Sequence, residues 1–173
     1  MIIGNGIIAK ALCQINQQLN NEFLFFASGV SNSQESSKHL FEKEKNLLQE
    51  SLNLQKKPIV YFSTLSLFNY TDKNSNYIEH KKNMEKIIQN QANNFLIYRL
   101  PNVVGKLGNP NTMFNYFKYC LLQNKTMEIK NKAYRYIIDI DDIPSLIRYS
   151  SHLRNKVINV SSPALIKVLD LVK

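Results

Sequence analysis

Pro58-Ile-Val-Tyr-Phe-Ser-Thr64 is an apolar run that ends in two hydroxyl side chains. A short apolar run without polar alternation is typical of a strand that is buried on both faces of a parallel sheet. In open α/β sheets, ligands bind at the carboxyl ends of the strands. The run therefore predicts a central strand that carries Ser63 and Thr64 to a binding site.

The segment that follows, Tyr77-Ile-Glu-His-Lys-Lys-Asn-Met-Glu85, predicts a helix with ionisable side chains on one stripe. Residues four apart on a helix are neighbours, so Lys81 lies one turn from Tyr77. An ammonium at that distance favours the phenolate and lowers the pKa of a phenol from about 10. Such a tyrosine can exchange protons near neutral pH. The same spacing, taken alone, also fits a solvated helix face.

Strands and helices alternate along the rest of the chain. Apolar strand patterns occur in residues 22–30, 94–100 and 156–160, and apolar residues at helical spacing occur in residues 36–54 and 111–123. This alternation predicts an α/β fold with a parallel sheet and helices on both faces. We also expect a final helix over residues 163–172. Asp142 is expected to cap the helix before it, which runs to about His152.

The N-terminus, Met1-Ile-Ile-Gly-Asn-Gly-Ile-Ile-Ala9, predicts a very short strand, a glycine turn and a helix to about Gln17. Glycines in such a turn let the backbone approach a pyrophosphate, and the first N–H groups of the helix then face the anion. A simple strand-to-helix turn is the alternative interpretation.

Composition limits the classes of protein that the chain can belong to. The 173 residues are 44% hydrophobic and 20% charged, which indicates one globular domain over residues 1–173. We find neither an apolar run of membrane-spanning length nor a signal peptide, so we expect a cytoplasmic protein without membrane contact. The cysteines and histidines form no cluster with metal-ligand spacing, and we assign no metal.

The formal net charge is +9. The Lys and Arg residues are dispersed among acidic residues rather than concentrated in a stripe, so we rank nucleic-acid binding last. A diffuse positive field also speeds the arrival of small anionic ligands, such as dinucleotides and nucleotide sugars.

A hydroxyl after a strand, followed by Tyr-x-x-x-Lys-x-x-x-Glu, resembles the short-chain dehydrogenase/reductase superfamily, in particular its extended epimerase/dehydratase branch. Gly-x-Gly-x-x-Ala at Gly4–Ala9 and the small residues Ala27-Ser-Gly29 match two other family positions in the same order. Arg99-Leu-Pro-Asn-Val-Val-Gly105 resembles the family's Arg-x-x-Asn-Val-Tyr-Gly and is the most specific match. Residues 134–143 and 156–161 resemble the family's two last motifs.

This resemblance implies an NAD- or NADP-dependent enzyme that modifies nucleotide sugars in surface polysaccharide biosynthesis. The implied catalytic residues are Thr64, Tyr77 and Lys81, with Ser63 as the alternative hydroxyl. The implied cofactor-binding residues are Gly4, Gly6, Ile7, Ile8, Ala27, Ser28, Gly29, Tyr77, Lys81 and Pro101. The implied substrate-binding residues are Ser63, Thr64, Asn102 and Arg135, where the arginine fork suits a diphosphate.

The chain departs from the family pattern in one respect. The usual second and third strands are missing, and the residue that selects NAD or NADP through the adenosine ribose normally follows the second strand. We therefore expect the first strand at a sheet edge, shielded by a partner subunit in a homodimer or by the N-terminal helix. A small substrate lobe would be formed mainly by residues 106–173. The alternative is a degenerate, non-catalytic member that binds a nucleotide sugar or acts as an interaction subunit.

Overall fold

The fold is described from a computed structural model. The structure describes residues 1–15, 17–54, 56–68, 75–105, 112–129 and 132–172. These residues form nine strands and six α-helices. The strands are β1 (Ile2–Ile3), β2 (Leu24–Phe26), β3 (Ile59–Thr64), β4 (Phe95–Leu100), β5 (Asn102–Val104), β6 (Tyr134–Arg135), β7 (Ile137–Asp139), β8 (Lys156–Asn159) and β9 (Ile166–Lys167). The helices are α1 (Ile7–Leu12), α2 (Gln17–Glu22), α3 (Lys38–Leu54), α4 (Asn76–Gln91), α5 (Met113–Leu122) and α6 (Ile143–Ser150).

Five strands form the main sheet, in the order β1-β2-β3-β4-β8, and every pair is parallel. The predicted α/β fold with a parallel sheet is therefore confirmed. In this sheet β1 is an edge strand, as the sequence predicted, and it pairs with β2 through Ile2 and Ile3.

The central strands are apolar because both of their faces are covered. Alternate residues of a strand point to opposite faces of the sheet. Accordingly Val60 and Phe62 of β3 contribute to one core cluster, whereas Ile59 and Tyr61 contribute to the other. The first cluster includes apolar residues of α1, α2 and α6, and the second includes those of α3 and α4.

Two small sheets and α5 accompany the main sheet. Strand β5 pairs parallel with β7, and β6 pairs antiparallel with β9. Strand β8 and helix α6 also fall within residues 106–173, but they belong to the main sheet and its covering layer. None of the helices in the described parts of the chain combines the length and the apolar character needed to cross a membrane.

Three predicted local features are wrong. The predicted helix to Gln17 ends at Leu12, because the N–H groups of Cys13, Gln14 and Ile15 bond three residues back and tighten the turn. Residues 163–172 form β9 and a short 3-10 helix instead of an α-helix. Pairing with β6, together with a hydrogen bond from the Val168 N–H to the Ala133 carbonyl, takes their backbone groups.

The third wrong prediction concerns the residue that caps the N-terminus of α6. Asp142 occupies the N-cap position, but its side chain makes no capping hydrogen bond. Its backbone is already helical, since it ends a 3-10 helix that leads directly into α6. The capping carboxylate is that of Asp139, which accepts a hydrogen bond from the Asp141 N–H at 2.9 Å.

Candidate functional site

A cavity of about 460 Å³ lies at the carboxyl ends of β2, β3 and β4. This is the edge of a parallel sheet where ligands bind. Most of the residues that the sequence indicated for a site line this one cavity. They are Gly6, Ile7, Ile8, Ala27, Gly29, Ser63, Thr64, Tyr77, Lys81, Pro101, Asn102 and Arg135. Gly4 and Ser28 are outside its lining.

The two glycines of the first turn have different environments. Gly4 has a φ of +126°, and a Cβ there would come within 2.4 Å of the Ala27 carbonyl oxygen. Gly4 therefore lets β1 and the Ala27-Ser28 backbone approach closely. A Cβ at Gly6 would meet nothing within 4 Å. The backbone at Gly6 is thus open on its cavity side.

Helix α4 contributes Tyr77 and Lys81 from its first two turns. Both side chains are buried, with 7% and 3% of their surface exposed. The Nζ of Lys81 lies 5.9 Å from the centre of the Tyr77 ring. Its described hydrogen bonds go elsewhere, to Glu44 at 2.9 Å and to the Tyr61 hydroxyl at 3.1 Å.

Glu44 of α3 is the counter-ion of Lys81. Burial alone would raise the pKa of this carboxyl. The ammonium of Lys81 and the hydrogen bonds from His80 and the Val30 N–H outweigh burial, and they lower its pKa to about 2. Burial and the nearby Glu44 charge raise the pKa of Tyr61 well above its usual value. Tyr61 is therefore a neutral phenol that donates to Glu44 and accepts from Lys81.

The two hydroxyls at the end of β3 have different partners. Ser63 is buried and donates a hydrogen bond of 2.5 Å to Glu85. Glu85 also accepts two hydrogen bonds from Arg99, at 3.0 Å and 2.6 Å. Thr64 is only partly buried, and its hydroxyl accepts a hydrogen bond from the Ser66 N–H at 3.1 Å. Among the described residues the Thr64 hydroxyl donates to no acceptor, so its proton is available to a ligand, whereas Ser63 donates its proton to Glu85.

Pro101, Asn102 and Arg135 also line the cavity, together with residues 112–114. Asn102 and Arg135 lie in β5 and β6, outside the main sheet. One guanidinium nitrogen of Arg135 donates to the Tyr134 carbonyl at 2.8 Å. Arg135 has no ion-pair partner among the residues that the structure describes. Its charge is therefore available to an anion in the cavity.

A second cavity of about 290 Å³ is also lined by Tyr77. Ser33, Gln34 and Ser66 line both cavities, and Ser36, Ser75 and Asn76 line the smaller one. Its lining is rich in hydroxyl and amide groups. Tyr77 therefore has polar side chains around it as well as the Lys81 ammonium.

Sequence reasoning missed Glu44 and Tyr61. In the sequence Glu44 stands within Glu-Lys-Glu-Lys, which suggested exposed acid-base pairs on a covering helix. The burial of Glu44 could have been inferred from its sequence separation from Leu48 and Ser51. Positions four and seven residues apart share a helix face, and all three residues are buried. A carboxylate on the buried face of a covering helix requires a buried partner.

Comparison with known proteins gives matches at the level of structure. No protein-family model matches the chain, and no curated protein matches its sequence. Many solved structures do match. The enzyme WbmH of Bordetella bronchiseptica, solved with NAD+, has a TM-score of 0.72 at 18% identity, over 98% of this chain and 62% of that one. The UDP-glucose 4-epimerase of Thermus thermophilus, solved with NAD, has a TM-score of 0.69 at 12% identity, over 95% and 63%.

A third match is DesIV of Streptomyces venezuelae, a dTDP-glucose 4,6-dehydratase solved with NAD and DAU bound. It has a TM-score of 0.72 at 16% identity, over 87% of this chain and 55% of that one. The chain thus spans about 60% of the length of these enzymes. It has the fold of the NAD-dependent epimerases and dehydratases of the extended short-chain dehydrogenase/reductase family, in a shortened form.

Proposed function

We propose that the chain is an NAD(P)-dependent enzyme of nucleotide-sugar modification, an oxidoreductase, epimerase or dehydratase, in surface polysaccharide biosynthesis. One observation carries this proposal. Residues indicated by six separate stretches of sequence, from Gly6 to Arg135, line the same cavity. The solved relatives include enzymes in complex with NAD and with nucleotide sugars, among them MoeE5 with UDP-glucose and NAD.

The residues present fit the nicotinamide half of a dinucleotide. The open backbone at Gly6 leaves room for a diphosphate, and Ala27 and Gly29 line the same cavity. Lys81 would hold the nicotinamide ribose by the Nζ donor that is directed neither to Glu44 nor to Tyr61. When bound, the nicotinamide would supply or accept a hydride at a carbon of the sugar.

The chain's own residues would bind the sugar and move its proton. Thr64 would donate a hydrogen bond to the reacting oxygen, and Tyr77 would exchange a proton with it. Proton transfer by a positioned group contributes about 10²–10⁴-fold to a rate. Asn102 and Arg135 would bind the diphosphate of the nucleotide sugar. The Arg135 guanidinium can donate two parallel hydrogen bonds to it.

The first test is a titration of the purified protein with NADH and NADPH, followed by nicotinamide fluorescence and combined with a turnover screen of nucleotide sugars. We expect micromolar binding and turnover of at least one sugar. Tyr77→Phe should abolish turnover while sparing substrate binding, since the lost hydroxyl exchanges a proton with the reacting oxygen. Tyr149→Phe is the matched control, because Tyr149 is 82% exposed and lies outside the cavity lining. Full turnover by Tyr77→Phe would contradict the proposal.

A second candidate function is a nucleotide-sugar-binding protein without turnover. It is favoured by the contacts of Lys81, whose hydrogen bonds go to Glu44 and Tyr61 and not to Tyr77. In that case UDP or a UDP-sugar would bind while neither NADH nor NADPH did. An Arg135→Gln variant would then lose most of the nucleotide affinity, because it removes the Arg135 cation from the cavity lining.

A further inference from the structure

Glu44 is a carboxylate that is saturated with donors. Its Oε1 accepts from Lys81 at 2.9 Å and from Tyr61 at 3.0 Å, and its Oε2 accepts from the Val30 N–H at 2.8 Å. The Nε2 of His80 lies 2.9 Å from Oε2. The residue is 4% exposed. Four partners match the roughly four lone-pair sites of a carboxylate.

These partners come from three parts of the fold that meet behind the cavity wall. His80 and Lys81 belong to α4, Tyr61 to β3, and Val30 to the segment after β2. Lys81, Tyr61 and Val30 line the cavity, whereas Glu44 does not. Glu44 therefore acts on the cavity through the side chains and the segment that it holds.

The segment after β2 fits closely against this ion pair. A Cβ at Gly29 would come within 3.0 Å of the Lys81 Nζ and 3.1 Å of the Glu44 Oε1. The absence of a side chain at Gly29 is thus explained by the ion pair as well as by a cofactor. The same carboxylate fixes the position of Lys81 and of the backbone beside it.

We propose that Glu44 is a positioning residue of the candidate site, which keeps Lys81 charged and holds its ammonium at the cavity wall. The inference rests on the proposed function for its consequence, the binding of a nicotinamide ribose. A buried ammonium is costly unless it is paired. Lys81 is 3% exposed, and Glu44 is its only ion-pair partner among the described residues. Without this carboxylate the Lys81 ammonium would be buried without a counter-ion among the described residues, and burial favours the neutral form of an amine.

The other ionisable groups near the pair are few. Tyr61 and His80 contact Glu44 directly, and the Tyr77 ring lies 5.9 Å from the Lys81 Nζ. Glu85 acts on Tyr61 through space. Glu85 is the suitable control, because it is a buried carboxylate with an ion pair of its own, to Arg99.

The test measures the protonation of Lys81 directly. Its side-chain ¹³Cε signal, assigned as the lysine signal missing from Lys81→Arg, is followed from pH 6 to pH 11 in the wild-type protein, Glu44→Gln and Glu85→Gln. We expect the midpoint in Glu44→Gln to lie at least about 2 pH units below that of the wild-type protein. The midpoint in Glu85→Gln should stay within about 0.5 unit, because Glu85 does not contact Lys81. A Glu44→Gln protein that is folded and has the wild-type midpoint would overturn the proposal.

NADH binding supplies the functional readout. Glu44→Gln should bind NADH at least about tenfold more weakly than the wild-type protein at pH 8, since it lacks one charged hydrogen bond. The loss should shrink at pH 6, where Lys81 regains its proton. If the wild-type protein binds no dinucleotide, the proposed function fails, while the lysine titration still tests Glu44.

Two further variants test the proposal in case Glu44→Gln does not fold. Glu44→Asp keeps the charge, so it should leave Lys81 protonated at pH 8 and restore part of the NADH affinity. Gly29→Ala keeps every charged group and places a methyl against the pair. It should lower the Lys81 midpoint by a smaller amount. Wild-type Lys81 titration and NADH binding in Gly29→Ala, or a Glu44→Asp protein whose Lys81 loses its proton below pH 8, would contradict the proposal even if Glu44→Gln does not fold.

Discussion

One carboxylate and two phenols surround the ammonium of Lys81. Glu44 is 2.9 Å away, the Tyr61 hydroxyl is 3.1 Å away, and the centre of the Tyr77 ring is 5.9 Å away. Coulomb interactions fall with distance, and a carboxylate in contact offsets much of the charge that more distant groups feel. The described hydrogen bonds of Lys81 go to Glu44 and Tyr61, while its described contact with Tyr77 is with the ring.

The carboxyl of Glu44 also links stability to pH. Its pKa is about 2 in the folded chain, against about 4.3 in an unfolded chain. A pKa that folding lowers gives stability that is complete above the unfolded value and is lost as the pH falls through the folded value. Between pH 5 and pH 2 we expect this residue alone to remove about 3 kcal/mol from the free energy of unfolding. Urea unfolding at several pH values measures it.

Glu44→Gln is the control for that loss, because the remaining carboxyls titrate in both proteins. Near pH 7 the variant should be less stable by about 3–5 kcal/mol, since it leaves a buried Lys81 without its counter-ion. The difference should shrink toward pH 2, where Glu44 itself becomes neutral. A difference that stays the same at every pH would mean that Glu44 carries no ionic stabilisation.

The two hydroxyls of β3 should separate stability from turnover. Thr64→Val keeps the shape of the side chain and removes a hydroxyl that faces the cavity, so turnover should fall by about 10²-fold or more. Ser63→Ala removes the hydrogen bond to Glu85 and should cost about 1 kcal/mol of unfolding free energy, with a smaller effect on turnover. Kinetics and urea unfolding of both variants measure the split. The reverse pattern would make Ser63 the catalytic hydroxyl.

Among the elements, α4 is held in place by two ion pairs one turn apart, one to a neighbouring helix and one to the main sheet. Lys81 pairs with Glu44 of α3, and Glu85 pairs with Arg99 at the carboxyl end of β4. The Arg99 guanidinium also lies over the ring of Phe68, 5.3 Å from its centre. These pairs fix the position of α4 along its axis relative to the cavity, and so they also fix the position of Tyr77.

Breaking the second pair should destabilise the chain more than removing it. Arg99→Met leaves Glu85 buried without its counter-ion and should cost about 3–5 kcal/mol of unfolding free energy. The double variant Glu85→Met/Arg99→Met replaces both charges with apolar side chains and should recover part of that loss. Urea unfolding of both variants tests this. A double variant less stable than Arg99→Met would contradict this expectation and would show that Glu85 stabilises the fold without Arg99, through its hydrogen bond from Ser63.

Elements with a clear apolar pattern could be predicted from the sequence. Their apolar residues are buried on the faces that the pattern indicates. Strands β3 and β4 and helices α3 and α4 lie where the sequence indicated. Tertiary pairing decided the C-terminal segment, where β9 joins β6, and no local pattern records that contact. The helical spacing of Glu44 could have indicated its burial, but no local pattern records its partners, which lie on β3, α4 and the segment after β2.

At the scale of the whole molecule, the edge position of β1 determines how much of a dinucleotide the chain can hold. The described part of the main sheet ends at β1, with no strand beyond it. In such sheets the residue that distinguishes NAD from NADP follows the strand beside the first one. The cavity lining instead includes Gly6, Thr64 and Arg135, which the proposed function assigns to the nicotinamide half and the substrate. The adenosine half of a dinucleotide would therefore have few contacts.

This asymmetry predicts a cofactor preference that can be measured. NADH and NADPH should bind with dissociation constants within about tenfold of each other, a difference of less than about 1.4 kcal/mol, because no described residue reads the 2′ position. Reduced nicotinamide mononucleotide, which lacks the adenosine half, should likewise bind within about tenfold of NADH. Titrations of the three compounds under the same buffer conditions give the comparison. A mononucleotide that binds a hundredfold or more weakly than NADH would show that the adenosine half is held after all, by residues outside those described or by a partner subunit at the β1 edge.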